Sequence, residues 1–460
     1  MSTANKTQDS FSILVNSVLP EYSISHLTGF APPKSKAPAV KFSSPSLDPW
    51  LDVSLKIATL LTESNEAFRS GVEKLPLLAV PDSAPIEEWR LAYTVLSTVG
   101  AAYIWGKDPE SGIVDKLPYV IACPLQDVAD ALGVEPGLTY IVGGIWNHQY
   151  REERSSEEDG QLDTIVSFTD APDETHFNLT TLRVERAGGD GLLQGLIVSQ
   201  LVARAIRLTM SASHNHNSHD HGPHSHQTPG NLMSLDEVHQ AMADAFHKME
   251  TSISQCTVEL SKMRNGCGVD FFYNELSQPN GVFYPSSPDG TKGEWLKLSG
   301  ATAGQSSLFQ AFDALLMVVH PNNQDQGPFA KKMRKAMPGK QYILFRPSLR
   351  ENLSPDYRHF GPQLYSAGYI QSLLSKPESS PGERAVIGGY NATVRELEGF
   401  RNEHIKIVTL YVIGPARRAQ QTTAGGAEDD SQMRGTGGSN LARLLKGMRD
   451  DTKRTTLERE

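Results

Sequence analysis

Cysteine is scarce. Cys123, Cys256 and Cys267 are the only three in 460 residues, and no two stand at a CxxC or zinc-type spacing. That excludes a disulfide framework and a cysteine-built zinc site, and it suits small reduced thiols in a cytoplasmic protein. Basic charge is also short: 43 Lys and Arg face 53 Asp and Glu, a net charge of −10. A balance of that sign argues against nucleic acid or an anionic membrane surface as the main partner. Long apolar runs are missing. The most apolar stretch, 192–210, is interrupted by Gln194, Gln200, Arg204 and Arg207, so it reads as a buried or amphipathic helix and not as a membrane span. The opening MSTANKTQDSFSILVN lacks the basic start and apolar run of a signal peptide.

The apolar residues that are present, 38% of the chain before its 38 glycines are counted, suffice for a sizeable core. The length allows two to four domains at about 150 residues each. Residues 1–46, rich in Ser, Pro and Lys, read as a loosely attached arm. A helix opens at Asp48-Pro49 with Trp50, Val53, Ile57, Leu60 and Leu61 at helical spacing, and a second follows Pro85 and stops by Gly106. Residues 116–185 are mixed, with short apolar pieces (TYIVGGIW, TIVSFTD, FNLTTLRVE) compatible with strand or helix. After the polar stretch 213–231, Ser234 and Glu237 form a capping box ahead of Val238, Met242, Ala245, Met249, Ile253, Cys256, Leu260 and Met263, which predicts a helix of about seven turns. Further helices are expected over SSLFQAFDALLMVV, over 389–413 with a stop at Gly414-Pro415, and over 440–450. Residues 415–438 are expected to be a mobile loop. The fold class is mainly all-α: a small N-terminal α domain (47–150) and a large α-helical domain (151–452).

Four features bear on chemistry. His404 lies on the apolar stripe Leu397, Phe400, Ile407, Val408, Tyr411. A neutral imidazole there suits a metal or haem-iron ligand, and equally a histidine satisfied within a core. Arg401, one turn earlier, needs an anion; Asp313, inside LFQAFDALL, needs a cation. The plain reading is a structural ion pair, the other an anionic cofactor group such as a haem propionate. Gly435-Thr436-Gly437-Gly438-Ser439 has neither the third glycine nor the preceding strand of a dinucleotide site, so it reads as a ligand-approaching loop or a hinge. His214, His216, His219, His221, His224 and His226, six of the 14 histidines, can hold Ni, Zn or Cu, adventitiously rather than catalytically on so polar an insert.

Together these segments resemble the indoleamine 2,3-dioxygenase family. FRNEHIKIVTLYVIGPA (400–416) resembles its proximal haem-ligand segment. MRGTGGSNLARLLKGMRDDT (433–452) is similar to its C-terminal glycine-rich loop and last helix, and SGATAGQSSLFQAFDALL (299–316) to the segment over the distal haem face. AAYIWGK and EYSISHLTGFAPP are similar as well, so the likeness runs from about residue 20 to 452. It implies a small and a large α domain with one haem b per chain between them. His404 would be the proximal iron ligand. Arg401 and Asp313 would lie near a haem propionate, with Ala303 in the distal-face segment. Tyr140, Phe177, Thr181, Phe272 and Tyr273 would line the substrate pocket, with Thr436 closing over the substrate's amino-acid end. The implied reaction inserts both atoms of O2 across the indole C2=C3 bond of L-tryptophan or a related indole, giving an N-formylkynurenine-type product. The cofactor carries the hard step, and an electron donor keeps the iron ferrous.

One departure stands out. The family's pocket segment carries an arginine that grips the substrate carboxylate; CGVDFFYNELSQPNGVFY has Leu276 or Ser277 in its place. A charge-assisted hydrogen bond contributes roughly 1.5–3 kcal/mol, about one to two decades of affinity or rate. Three readings therefore stand: a tryptophan-type dioxygenase, an oxygenase on the same scaffold acting on an aromatic metabolite without a free carboxylate, and a non-catalytic haem or O2-binding protein.

Overall fold

The computed structural model describes residues 15–16, 19, 24–107, 112–151, 162–215, 233–275, 282–296, 301, 303–320, 369–374, 379–423 and 441–457. Helices α1 (Asp48–Ser54), α2 (Ile57–Glu63), α3 (Asn65–Glu73), α4 (Ile86–Trp105) and α5 (Tyr119–Leu132) pack around one core. α4 is buried almost all round, from Glu88 to Ile104. It ends because Gly106 takes a φ of +66°, where a Cβ would lie 2.5 Å from the Asn65 side chain. A π-helical turn, Val142–Trp146, and the antiparallel pair β1 (Gln149–Tyr150) and β2 (Leu162–Asp163) follow.

The second core is built by α7 (Gly189–Asn215), α8 (Leu235–Ser261), α10 (Ser307–Leu315) and α11 (Pro381–Val408). α8 carries the capping box expected at Ser234 and Glu237 and buries Val238, Met242, Phe246, Met249 and Ile253. Each large apolar side chain on that stripe stabilises by about 1.5–3 kcal/mol. Residues 172–212 are long and apolar enough to cross a membrane, but Leu192, Leu193, Leu196 and Val202 line this core. α6 (Pro172–Ala187) joins the two units: Leu179 and Leu182 belong to the first core, Val184 to the second. α9 (Val269–Glu275), the antiparallel hairpin β3 (Val282–Pro285) and β4 (Gly293–Leu296), α12 (Gly414–Thr423) and α13 (Leu441–Arg454) complete the described elements.

Several expectations need correction. The arm is not loose where it is described, since Ile24, Phe30 and Phe42 are buried and Phe42 packs edge-on against Trp50 at 6.4 Å. Apolar residues too widely spaced to show a period can still be covered. The first core does not stop at residue 150, because Leu162, Val166, Leu179, Val282 and Tyr284 join it. Of the ambiguous pieces, FNLTTLRVE is helical and TYIVGGIW feeds the π-helical turn. The helix expected over 389–413 starts at Pro381, behind a second capping box, Ser380 with Glu383. It does not stop at Gly414-Pro415 either: a π-helical turn, Thr409–Ile413, leads into α12. Proline is tolerated in a first helical turn, where its missing N–H needs no partner. Residues 415–423 are thus helical, and 424–438 lie outside the described residues.

Candidate active site

α11 presents Phe400, Arg401 and His404 within one turn, and a row of rings holds that turn in place. Phe309 of α10 stacks on Phe400 at 3.8 Å, and Phe400 stacks on His404 at 6.5 Å. His404 is half-buried as a residue. It nevertheless lies deep enough that desolvation, with the Arg401 charge second, pushes its imidazole down to about 4. Among the described residues neither ring nitrogen has a hydrogen-bond partner. The ring is therefore neutral near pH 7 with a free lone pair, as a metal ligand must be. A histidine satisfied within a core would show a partner.

Arg401 is buried and its Nη2 donates to Asp313 Oδ1 at 2.5 Å, which joins the two residues the sequence singled out. Its Nε–H is buried and has no partner among the described residues. Asp313 Oδ2 faces His320 Nε2 at 3.1 Å, and His320 Nδ1 faces Asp451 Oδ2 at 3.0 Å. Burial alone would raise the Asp313 carboxyl; Arg401 and His320 outweigh it and hold it below the ordinary carboxylate range.

Beyond His404 the same helix meets an aromatic cluster. Ile407 and Tyr411 pack with Met263 and Cys267 and with Phe177, Phe271 and Phe272. Phe272 lies between Phe177 (5.2 Å) and Tyr411 (5.5 Å), both edge-on, and the Tyr411 hydroxyl donates to the Cys267 carbonyl at 2.7 Å. Phe271, not Tyr273, is the second α9 aromatic in this cluster: the two flank Phe272 at about 100° on opposite sides, so only one of them can turn toward the same neighbours. Thr181 lies one turn after Phe177 and its hydroxyl donates to the Phe177 carbonyl at 3.2 Å. The π-helical turn comes so close that a Cβ at Gly144 would lie 2.4 Å from Thr181 Cγ2 and 3.6 Å from the Tyr140 ring. Tyr140, Thr181 and Phe177 thus share one wall. Ala303 is exposed at the start of the turn that leads into α10. Thr436, Leu276, Ser277 and the histidines from His216 to His226 lie outside the described residues, as do the side chains of His214 and its neighbours.

Sequence reasoning missed a buried acid behind this wall. Glu185 Oε1 accepts from the Tyr140 hydroxyl at 2.8 Å and from the Ser306 hydroxyl at 2.5 Å, while Oε2 has no partner among the described residues. The Tyr140 N–H donates to Gln305 Oε1 at 2.9 Å, so the segment before α10 is latched to Tyr140 twice over. Burial raises Glu185 to about 7. Its position one turn past Thr181 and two past Phe177 was the available signal. The native carboxyl holds a proton that the unfolded chain releases near 4.5. Stability is therefore present in full below that value and lost as pH rises through about 7, by roughly 3 kcal/mol at 1.36 kcal/mol per unit. Urea unfolding at pH 5 and pH 8 should show a loss larger in the wild type than in Glu185→Gln by about that amount, the remainder coming from other groups; equal losses in both would refute the assignment.

Among the described residues, four cations near the aromatic cluster lie within ion-pair distance of protein carboxylates. Arg264 meets Glu403 at 2.6 Å, Lys406 meets Glu403 at 3.1 Å, Lys262 meets Glu259 at 2.7 Å and Arg418 lies 3.8 Å from Asp270.

Known proteins resemble this chain over nearly its whole length. The family model described as "Indoleamine 2,3-dioxygenase" matches residues 18–216 and 226–455. The chain is 28% identical to the indoleamine 2,3-dioxygenase of Saccharomyces cerevisiae, covering 95% of this chain and 93% of the relative. It is 26% identical to indoleamine 2,3-dioxygenase 2 of Homo sapiens (94% of each) and to a 6-hydroxytryptophan 2,3-dioxygenase of Fusarium equiseti (94% of this chain, 96% of the relative). A match over nearly the whole length, with the described fold mainly helical, places this chain in the indoleamine 2,3-dioxygenase family, whose members are haem-dependent dioxygenases of the oxidoreductase class.

Proposed function

We propose that this protein binds one haem b through His404 and opens the indole ring of L-tryptophan or a related indole to an N-formylkynurenine-type product. The observation that carries the reading is a deep, neutral His404 one turn from a buried Arg401, the imidazole and the Arg401 Nε–H both without a partner among the described residues. These residues fit the cofactor: the imidazole would hold the iron and the guanidinium an anionic edge group. Haem supplies the activation of O2. The chain supplies binding and orientation. Phe177 and Phe272 present flat apolar surface to an indole. The Thr181 hydroxyl already spends its hydrogen on the Phe177 carbonyl, so its oxygen faces an indole N–H as an acceptor. Glu185 stands behind Tyr140 and keeps that wall in register; no proton transfer on the pocket side is assigned to it. The free thiols Cys123, Cys256 and Cys267 suit a reducing compartment, and we place the protein in the cytoplasm with an electron donor that keeps iron ferrous.

A second reading, a substrate without a free carboxylate, draws on the paired cations near the aromatic cluster and on Leu276 or Ser277 in place of an arginine. One relative's name specifies a ring-substituted tryptophan. Haem-loaded protein with reductant and O2 should be given L-tryptophan, 6-hydroxytryptophan and indoles lacking the carboxylate. Ring-opened product from the free amino acids supports the first reading. Turnover confined to the carboxylate-free compounds replaces it with the second, and haem binding with no turnover of any of them overturns both.

A further inference from the structure

Among the described residues, the C-terminal helix α13 is tied to the site by one ionic link, and that link runs through a single imidazole. His320 Nε2 faces Asp313 Oδ2 at 3.1 Å and its Nδ1 faces Asp451 Oδ2 at 3.0 Å. A carboxylate only accepts, so both ring nitrogens must donate and the ring is doubly protonated. Asp313 Oδ1 is taken by Arg401, and Asp451 Oδ1 by Arg454. The groups facing His320 are thus Asp313 and Asp451, with Arg401 and Arg454 behind them, three positive charges alternating with two negative ones. Asp313 and Asp451 are both buried.

We propose that His320 is a positioning residue: clamped between Asp313 and Asp451, it holds the Asp313 carboxylate so that Arg401 can be shared with the anionic edge of the cofactor, and it fastens α13 to that side of the site. The cofactor half of this inference rests on the proposed function; the clamp itself does not. The argument is one of charge. A buried carboxylate whose sole cation is Arg401 competes with any other anion for that guanidinium. His320 supplies a second cation and removes the competition. None of the other described ties between the C-terminal segment and α11 titrates near neutrality: Asn391 exchanges two hydrogen bonds with Leu457, each at 2.7 Å, the Tyr390 hydroxyl faces the Thr455 carbonyl at 3.4 Å, and the permanently charged Arg449 donates to Asn402 Oδ1 at 3.4 Å. The His320 link is therefore the one that titrates near neutrality. Burial works to lower its imidazole, but the hydrogen bond and charge of Asp313, then Asp451, raise it above the ordinary value of 6.5. A raised base contributes its stability in full below 6.5 and loses it as pH rises through the raised value.

The experiment uses the full chain, with haem and without, as wild type, H320Q and H320R. In the haem-free protein, hydrogen exchange of the 441–454 amides, corrected for intrinsic rate, should be about tenfold faster at pH 9 than at pH 6.5 in the wild type. A tenfold change in exchange is about 1.4 kcal/mol of local stability. H320Q should exchange at the fast rate at both pH values, and H320R, which keeps the charge, at the slow rate at both. With haem bound, H320Q should release it to an acceptor protein about tenfold faster than wild type at pH 6.5, and H320R should restore slow release. Wild-type exchange in H320Q, or a pH dependence that survives in H320R, overturns the clamp. Altered exchange with unchanged haem release overturns the positioning role. A wild type that takes up no haem sinks the functional reading and leaves the exchange result to decide the clamp.

Discussion

His404→Ala should cost the protein its haem. The wild type loaded with hemin should show a Soret band, and the variant should retain haem about a hundredfold more weakly or worse, beyond the 10–100-fold that loss of an outer partner of a metal ligand costs. The same substitution should barely disturb the haem-free fold. The ring makes no hydrogen bond among the described residues and the residue is half-buried, so its removal strands no partner. A change within about 1 kcal/mol is expected, the scale of a single net hydrogen bond. Absorption spectra and urea unfolding of the two haem-free proteins measure the two halves separately. A histidine serving only the core would give the reverse pattern, an intact Soret band and a destabilised fold, and would remove His404 as the iron ligand.

Asp313→Ala should have the opposite signature. It leaves Arg401 and His320 facing each other across a buried gap with no anion between them. Breaking a buried pair by removing one partner typically costs about 3–5 kcal/mol, a large share of the roughly 5–15 kcal/mol that keeps a domain folded. The haem-free protein should unfold at markedly lower urea, and lowering the pH should not rescue it, because protonating His320 then adds repulsion. Asp313→Asn should be milder, since the amide oxygen still accepts from Arg401. A haem-free Asp313→Ala protein as stable as wild type would show that the pair carries no structural weight.

Much of the fold could be read from local pattern. The Ser234–Glu237 capping box and the stripe from Val238 to Ile253 predicted α8, and Pro85 with Gly106 bracketed α4. These signals operate within one or two turns, where a side chain and the backbone it caps are neighbours in sequence. The same locality misled at Gly414-Pro415, where helix follows a π-helical turn. It was silent on the arm, whose Ile24, Phe30 and Phe42 are covered by elements far along the chain.

The candidate site divides in the same way. His404 and Arg401 on one helix stripe, the acid within LFQAFDALL and the aromatics of the 267–284 segment were visible in order along the chain, and their likeness to a family of haem dioxygenases was visible with them. That the Arg401 Nε–H has no partner among the described residues, that Phe271 and not Tyr273 joins Phe272, and that Glu185 is a buried acid behind Tyr140 were not. Asp313 meets Arg401 across 88 residues, Glu185 meets Ser306 across 121 and His320 meets Asp451 across 131. The chemistry a residue can do is written in its type and its place on a helix face. Whether it is charged, paired or free to hold a ligand depends on which distant elements take water away from it, and only packing brings those elements together.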